Sequence, residues 1–455
     1  MTSMLALLQK YSVAGPRYTS YPTAPYFHTG FGEADWAEAL AAPAPDRGLS
    51  LYAHIPFCDS LCYYCGCNMV ATQDYSKTQP YLAYLDQEMA RTAQQVDTRR
   101  LVRQLHWGGG TPTYLNPDDI RRLMAMMRSH FTLADDAEVS CEVDPRELTR
   151  AHLVALRESG FNRLSFGVQD MDPAVQQAVN RIQSEALIRQ VLDWSRELGF
   201  SSINLDLIVG LPKQTVASFS RTLERVTEWA PDRLAVFAYA HVPWLKKHQN
   251  LIKQADLPDS ATRLGLQQAV NEALGAAGYV NIGLDHFARP EDELVRAQQN
   301  KTLWRNFQGY TTRKDCDILA FGASSISQTA DVYMQNEKNL KRYQERIAAT
   351  GMAVERGLKL SRDDQIQREA ITRVMCDLEL DFTAFGREWG IAFADYFADA
   401  LADLRPLADD GLVQIEAGKI SVTPNGRLFL RNIGMCFDRY LKQAAGDQPR
   451  YSRTA

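Results

Sequence analysis

Six times between residues 49 and 241, a β-branched apolar stretch gives way to a longer helical pattern. "LSLYAHIP" (49–56) precedes a helical pattern near 77–97, "LVRQLHW" (101–107) one near 117–131, and "AEVSCEV" (137–143) one near 149–159. "RLSFGVQ" (163–169) leads to two runs between 172 and 199, "SINLDLIVG" (202–210) to 215–229, and "RLAVFAYAH" (233–241) makes a sixth strand. Cap-like residues open several of the helices, as in Asn116-Pro117-Asp118 and Asp172-Pro173. Strands that alternate with helices cannot pair as hairpins, so they imply a parallel sheet flanked by helices. Six units fall two short of an eight-fold barrel. The expectation is therefore an α/β fold with an open, partial (β/α)6 barrel and additional strands.

Residues 260–278 read as a helix and "YVNIGLDHFAR" (279–289) as one further strand, while "DCDILAFGASSIS" (315–327) contains a glycine turn and could return to the sheet. Beyond 360 the pattern changes. "SRDDQIQREAITRVMCDLELDFTAFGREWG" (361–390) has a period near 3.6, and "EAG" (416–418) sits between two short strands as a hairpin, an order resembling a winged helix. The chain divides into an N-terminal extension (1–48) covering the site, a catalytic unit (49–359) and a mostly helical C-terminal unit (360–455).

The net charge of −5 over 455 residues offers no general attraction to nucleic acid or to anionic membranes. No apolar run reaches the roughly 18–20 residues needed to cross a bilayer. "MTSMLALLQKYSV" lacks a basic leader region, and Cys141, Cys316, Cys376 and Cys436 have no framework spacing. Both points fit a reducing, cytoplasmic setting.

The other four cysteines lie within ten residues, in "HIPFCDSLCYYCGCN" (54–68). Cys58, Cys62 and Cys65 are spaced C-x3-C-x2-C, and Cys67 follows. The loop falls just past the first strand, on the face where parallel α/β folds build sites. Zinc would want four ligands from two separated knuckles, and no second pair is visible. A dithiol redox site needs only Cys62 and Cys65 and leaves Cys58 over. An iron–sulfur cluster on three thiolates accounts for the spacing and leaves one iron open to a small ligand. On spacing alone the cluster leads, with zinc, a redox pair and a chance grouping as alternatives.

That cysteine motif, with Tyr64 before its last cysteine, resembles the radical S-adenosylmethionine enzymes. "GPRYTSYPTAPYF" (15–27), "LHWGGGTPTYL" (105–115), "EVDP" (142–145), "SFGVQD" (165–170), "NRIQ" (180–183), "NLDLIVGLP" (204–212) and "FAYAHVPW" (237–244) extend the resemblance, in matching order from about 11 to about 440, to the bacterial oxygen-independent coproporphyrinogen III oxidases. The resemblance implies one [4Fe-4S] cluster on Cys58, Cys62 and Cys65, with Cys67 a non-ligand. It implies two molecules of S-adenosylmethionine, consumed as co-substrate. Tyr52, Gly109, Glu142 and Ile326 match contacts to the first. Tyr64, Gly110, Thr111, Gln169, Arg181, Asp206 and Ala240 match contacts to the second. Taken alone, "GGGTP" would pass for a tight turn, and Glu142, Arg181 or Asp206 for solvated or packing residues.

The implied reaction turns two propionates of coproporphyrinogen III into vinyl groups, giving protoporphyrinogen IX for haem biosynthesis. Hydrogen abstraction by a 5′-deoxyadenosyl radical is followed by loss of carbon dioxide and one electron. The implied partners are the substrate, a flavodoxin- or ferredoxin-like electron donor and an unidentified acceptor. The implied chain is a monomer that engages neither nucleic acid nor membrane. Four substrate carboxylates call for guanidinium groups at the mouth, and Arg17 is the candidate. His54 is placed to hydrogen-bond near the cluster, and His106 reads equally as a core residue. Two other readings compete. A haem-chaperone branch of the superfamily is shorter and lacks "GPRYTSYPT". A redox-sensing DNA-binding regulator would need a basic recognition helix, whereas 381–404 is acidic.

Overall fold

The computed structural model describes residues 4–443 and 451–454. In chain order its strands are β1 (Gly48–Ile55), β2 (Phe57–Cys58), β3 (Val70–Ala71), β4 (Val102–Gly109), β5 (Leu133–Val143), β6 (Arg163–Gln169), β7 (Ser202–Val209), β8 (Arg233–Ala238), β9 (Val280–Gly283), β10 (His286–Ala288), β11 (Trp304–Asn306), β12 (Gly309–Thr311), β13 (Cys316–Phe321), β14 (Ile326–Gln328), β15 (Val332–Asn336) and β16 (Val354–Lys359). Twelve of them form one sheet, in the order β16-β15-β14-β13-β1-β4-β5-β6-β7-β8-β10-β9. The six expected strands run parallel through its centre. β13 adds a seventh parallel strand beside β1 (Gly48 opposite Cys316, Ala53 opposite Phe321).

Strand alternation decides what each face carries. Leu49, Leu51, Ala53, Ile55, Leu105, Trp107, Cys141, Phe166, Leu205 and Leu207 are buried against the surrounding helices. The opposite face carries Tyr52, Gln104, His106, Glu138, Ser140, Glu142, Arg163, Ser165, Asn204, Asp206 and Arg233, and is polar. Near the strand starts these groups satisfy one another. Ser50 donates to Gln104 (3.1 Å), and Gln104 donates to Glu138 (3.1 Å) and to Thr311 of the β11–β12 hairpin (3.3 Å). Arg163 pairs with Glu293 (2.7 Å), and Arg233 with Asp292 (2.8 Å) and Glu293 (3.1 Å).

Two sequence expectations need correction. The segment 279–289 is not one strand but two antiparallel ones, β9 and β10, because Leu284 turns the chain at φ +45°. The segment 361–390 is not a continuous helix. It is Arg362–Asp377, then β17 (Glu379–Asp381), then Phe382–Trp389, with Leu378 capping the first helix at φ +60°. The expected hairpin is β18 (Val413–Glu416) with β19 (Lys419–Val422), and the small sheet runs β17-β19-β18, as in a winged helix. A second apolar core joins this region to Leu7, Tyr18 and Tyr21 from the start of the chain, and to Ile282, Leu294 and Tyr310. No helix among the described residues is long and apolar enough to cross a membrane.

Candidate active site

The chain leaves β1 at Ile55 and returns at β3, and the short parallel β2–β3 bridge closes the cysteine loop at its base (Cys58 opposite Ala71). His54 bonds the carbonyl of Asn68 (2.8 Å), its other ring nitrogen meeting the Tyr52 hydroxyl (3.1 Å), so it ties the loop to the strand. From one side the Tyr63 amide donates to the Val179 carbonyl (2.9 Å) and Asn180 to the Leu61 carbonyl (2.8 Å). From another, Lys246, His248 and Gln249 bond the carbonyls of Cys67, Cys65 and Tyr64 (2.8, 2.7 and 3.0 Å). The loop is therefore shaped from outside rather than by its own sequence.

Each of the three motif sulfurs has a polar neighbour. Cys58 lies 3.3 Å from the Thr111 hydroxyl. Cys62 accepts from Arg146 (3.4 Å) and Arg181 (3.6 Å), and Cys65 accepts from the Cys67 amide (3.4 Å). Burial pushes the Cys58 thiol up to about 12, whereas hydrogen bonding from Cys67 pulls Cys65 down to about 6. Cys58 and Cys62 are buried, Cys65 is half-buried and Cys67 is exposed. No set of three or more His, Cys, Asp or Glu side chains among the described residues is drawn together to hold a single metal ion. A cluster makes no such demand, since each thiolate binds its own iron. Guanidinium donors beside a thiolate also suit the negative charge that a thiolate-held cluster carries.

The glycine run 108–110 packs against this loop. A Cβ on Gly108 would sit 2.9 Å from the Glu142 carboxyl group, one on Gly109 2.7 Å from the His54 ring, and one on Gly110 2.8 Å from the Pro56–Phe57 backbone. Gly109 also holds φ +118°. Its amide donates to Glu142 (3.1 Å), and His106 meets the same carboxylate at 3.4 Å and Ser140 at 2.7 Å. Burial raises the Glu142 carboxyl, but His106 and the Gly109 amide outweigh it and leave the group below its ordinary range. Tyr52 stacks beside His106 with ring centroids 5.9 Å apart. Ile326 opens β14 after the turn that follows β13, half-buried beside Phe27 and Tyr333.

Further round the same end, Gln169 closes β6 at φ +66°, a left-handed conformation that a non-glycine residue adopts at a cost, and its Oε1 is buried without a partner. Arg181 donates to Asp144 (2.9 Å) and to the Gly167 carbonyl (2.6 Å), yet its Nε has no partner. Asp206 accepts from Ser165 (3.1 Å) and Asn204 (2.8 Å). Burial first, then the charge of Glu142, pushes it up to about 7. Tyr64 packs on the apolar group of Val175, Val179, Ile208 and Leu211, and the Ala240 carbonyl accepts from Gln249 (3.3 Å). The cysteine loop, the glycine run, Glu142, Gln169 and Ile326 thus lie at the C-terminal ends of the parallel strands, with Tyr52 and Asp206 further back within β1 and β7. The Thr111 hydroxyl faces a cysteine sulfur at those ends.

Sequence reasoning missed several groups. Asp144 binds both Arg181 and Arg146, which together overcome burial and hold it at about 2; the quoted "EVDP" already contained it. Arg305, on the β11–β12 hairpin, leaves Nη1 buried without a partner, and Gln308 leaves both amide atoms so. No motif marks them. A buried orphan calls for a partner that the chain does not supply, and a ligand is one such partner.

A cysteine loop at the strand ends of a partial parallel barrel is the arrangement of radical S-adenosylmethionine proteins, and the superfamily model matches residues 52–226. The model described as the HemN C-terminal domain matches 360–429. The oxygen-independent coproporphyrinogen III oxidase of Salmonella typhimurium is 53% identical over 441 residues, covering 97% of this chain and 96% of its own. That of Pseudomonas aeruginosa is 46% identical over 450 residues, covering 98% and 97%. The solved coproporphyrinogen III oxidase of Escherichia coli, described as a radical SAM enzyme, superposes with a TM-score of 0.92 at 50% identity, covering 96% of this chain and 98% of its own. The chain belongs to the oxygen-independent coproporphyrinogen III oxidases. Membership of the radical SAM superfamily brings with it a [4Fe-4S] cluster and S-adenosylmethionine.

Proposed function

We propose that this protein oxidatively decarboxylates two propionates of coproporphyrinogen III to vinyl groups, yielding protoporphyrinogen IX. The geometric observation that carries the reading is the cysteine loop at the strand ends, with Arg146 and Arg181 donating to the Cys62 sulfur and the partnerless Gln169 Oε1 and Arg181 Nε at the same strand ends. Cys58, Cys62 and Cys65 would hold the cluster. Tyr52, Gly109, Glu142 and Ile326 would bind one S-adenosylmethionine. Tyr64, Gly110, Thr111, Gln169, Arg181, Asp206 and Ala240 would bind a second. When bound, the cluster and S-adenosylmethionine supply the carbon-centred radical that takes a hydrogen from the propionate β-carbon. The chain's own work is to bind, orient and shield. The partnerless Gln169 Oε1 and Arg181 Nε are a ready acceptor and donor for the polar groups of an amino acid or a ribose.

The substrate brings four carboxylates. Arg17 bonds Asp285 (3.1 Å) and the Ala238 carbonyl (3.1 Å), and Arg305 reaches the Arg17 carbonyl (3.4 Å). Burial lowers the Arg431 guanidinium to about 10, with the positive charges of Arg17 and Arg305 adding to the shift and Asp285 opposing it. Burial, followed by Arg305, Arg233 and Arg17, depresses His286 to about 3, so it stays neutral. Arg431 donates to the carbonyls of Gly15, Pro16, Ser452 and Arg453, which leaves Arg17 and Arg305 as the guanidiniums suited to meet a polycarboxylate. The reading includes an external one-electron donor protein of the flavodoxin or ferredoxin kind and a separate electron acceptor. It also includes a monomeric cytoplasmic chain with no nucleic-acid or membrane partner. The segment 1–48 and the C-terminal unit from 360 would cover the substrate, the core being the unit 49–359.

The test is anaerobically reconstituted protein with coproporphyrinogen III, S-adenosylmethionine, reductant and cell extract. Two vinyl groups and two equivalents of carbon dioxide per macrocycle are expected, with two S-adenosylmethionine molecules consumed. Haem binding without vinyl product would overturn the reading.

A further inference from the structure

The four most exposed large apolar side chains among the described residues are Ile182 (70%), Leu245 (66%), Leu251 (58%) and Trp244 (57%). All four lie on the two segments that clamp the cysteine loop. Ile182 follows Arg181, which donates to the Cys62 sulfur, and Asn180, which donates to the Leu61 carbonyl. Trp244, Leu245 and Leu251 flank Lys246, His248 and Gln249, which bond the carbonyls of Cys67, Cys65 and Tyr64. The exposure does not come from loose chain. The undersides of the same segments form an apolar group of Val175, Val179, Ile208, Leu211 and Ile252, closed by Tyr63 and Tyr64 of the cysteine loop. Apolar side chains held outward on an anchored frame mark an interaction surface.

The rim of this surface is basic. Residues 241–253 include Lys246, Lys247 and Lys253 and no acidic residue, in a chain whose net charge is −5. Lys338, whose carbonyl accepts from Asn68 of the cysteine loop (3.0 Å), joins the rim. Burial lowers its ammonium group, and the charges of Arg356 and Lys246 add to that. An apolar centre edged by Lys246, Lys247 and Lys253, with Glu337 and Glu355 of opposite sign near Lys338, fits a protein partner of net negative charge. Side chains more than half exposed need a partner with a broad face, whereas a small ligand is enclosed by its pocket.

We propose that the face formed by Ile182, Trp244, Leu245 and Leu251, with its lysine rim, docks the electron donor, a small acidic one-electron carrier protein. The proposal rests on the radical reading, which requires one electron per S-adenosylmethionine cleaved. Electron transfer falls steeply with distance, and the clamps tie this face by hydrogen bonds to the Cys65 carbonyl and the Cys62 sulfur. In the docked complex the carrier is oxidised by one electron and the cluster reduced by one, with no bond made or broken.

The test uses the full chain with its cluster reconstituted anaerobically. Cluster reduction is followed optically, without any tetrapyrrole, on mixing with reduced flavodoxin or with dithionite. For wild type, reduction by flavodoxin should slow as salt rises. Lys247→Glu with Lys253→Glu should lower the second-order rate with flavodoxin about tenfold at low salt. Trp244→Ala with Leu245→Ser should raise the flavodoxin concentration for half-maximal rate about tenfold. Reduction by dithionite and iron content should not change in either. Three results would overturn the proposal: wild type that flavodoxin fails to reduce, flavodoxin rates unaltered in both variants, or equal losses with dithionite. Normal reduction coupled to loss of dithionite-driven vinyl formation would assign the face to the tetrapyrrole instead. Reduction is scored without substrate, so it stands or falls separately from the decarboxylase assignment.

Discussion

At the strand starts, Glu138, Arg163, Arg233, Asp292 and Glu293 join into one set of ion pairs, and none of them keeps a buried polar atom without a partner. At the strand ends, Gln169 and Arg181 each keep one, and on the β11–β12 hairpin Arg305 and Gln308 do so too. The residue types at the two ends are similar, since amides, carboxylates and guanidiniums line both. The difference lies in whether the protein supplies the second half of each interaction. A buried polar group left unpaired costs stability, and a chain retains it where a ligand provides the partner. The ion-paired set reads as structure and the unpaired groups of Gln169 and Arg181 as function; Arg313, just before β13, also leaves its Nε unpaired, so the contrast belongs to these groups and not to each whole end.

The sharpest way to separate the ends is to remove one group from each. Cys62→Ser takes away a buried sulfur between two guanidiniums at the functional end. Iron and sulfide content should fall to a small fraction of wild type and activity should vanish, while the far-ultraviolet circular dichroism and the apo-protein melting temperature stay nearly constant. A normal cluster in this variant would undo the assignment of the loop. At the other end, Arg233→Met takes the 2.8 Å partner from Asp292 and leaves Glu293 with Arg163. Breaking a buried pair on one side costs about 3–5 kcal/mol. Chemical denaturation should show that loss, with KM for substrate unchanged in whatever protein remains folded. A shift in KM would mean that the two ends are not separable.

Arg305→Leu is a smaller probe of the same distinction. A charge-assisted hydrogen bond to a carboxylate contributes about 2 kcal/mol, so kcat/KM should drop about thirtyfold, carried by KM, with Arg305→Lys recovering part of it. Folding stability should fall by less than the kinetic loss, since Nη1 has no protein partner and the contacts removed are the 3.4 Å bond from Nε to the Arg17 carbonyl and the packing of the guanidinium on Tyr310. If denaturation registers a larger loss than the kinetics, Arg305 belongs with the structural end.

The two ends were not equally legible in the sequence. Period-2 and period-3.6 patterns act over neighbouring residues, so the six parallel units and the position of the cysteine loop could be read directly. The cysteine spacing narrowed the chemistry, and the longer resemblance supplied the residues around it. What could not be read depends on contacts distant in sequence. Cys316–Phe321 returns to pair with β1 across 268 positions, and Thr311 of the hairpin before it bonds Gln104. Arg305 and Gln308 lie on that same hairpin, which comes to the sheet only with this return. The breaks at Leu284 and Leu378 were hidden for another reason. Leucine rarely adopts a left-handed conformation, so neither position carries a turn signal, and tertiary packing imposes the turn.

The weakest probe concerns charge rather than shape. Asp206 lies at the functional end, and burial followed by the Glu142 charge raises its carboxyl to about 7. An acid whose folded pKa exceeds its unfolded value keeps its proton longer in the native state. The native state therefore binds more protons between the two values, and stability falls as pH rises from about 4 to about 7. Above that window the apo protein carries the full penalty. Asp206→Asn should flatten the fall and make the apo protein more stable at pH 8 by on the order of 1 kcal/mol, after allowance for its partial exposure. The same variant should bind S-adenosylmethionine less well, because the amide cannot accept as an ionised carboxylate does. A gain in stability paired with a loss in binding is what an unsatisfied functional end predicts. An Asn variant that lost both would place Asp206 among the satisfied structural groups with Glu138 and Arg163.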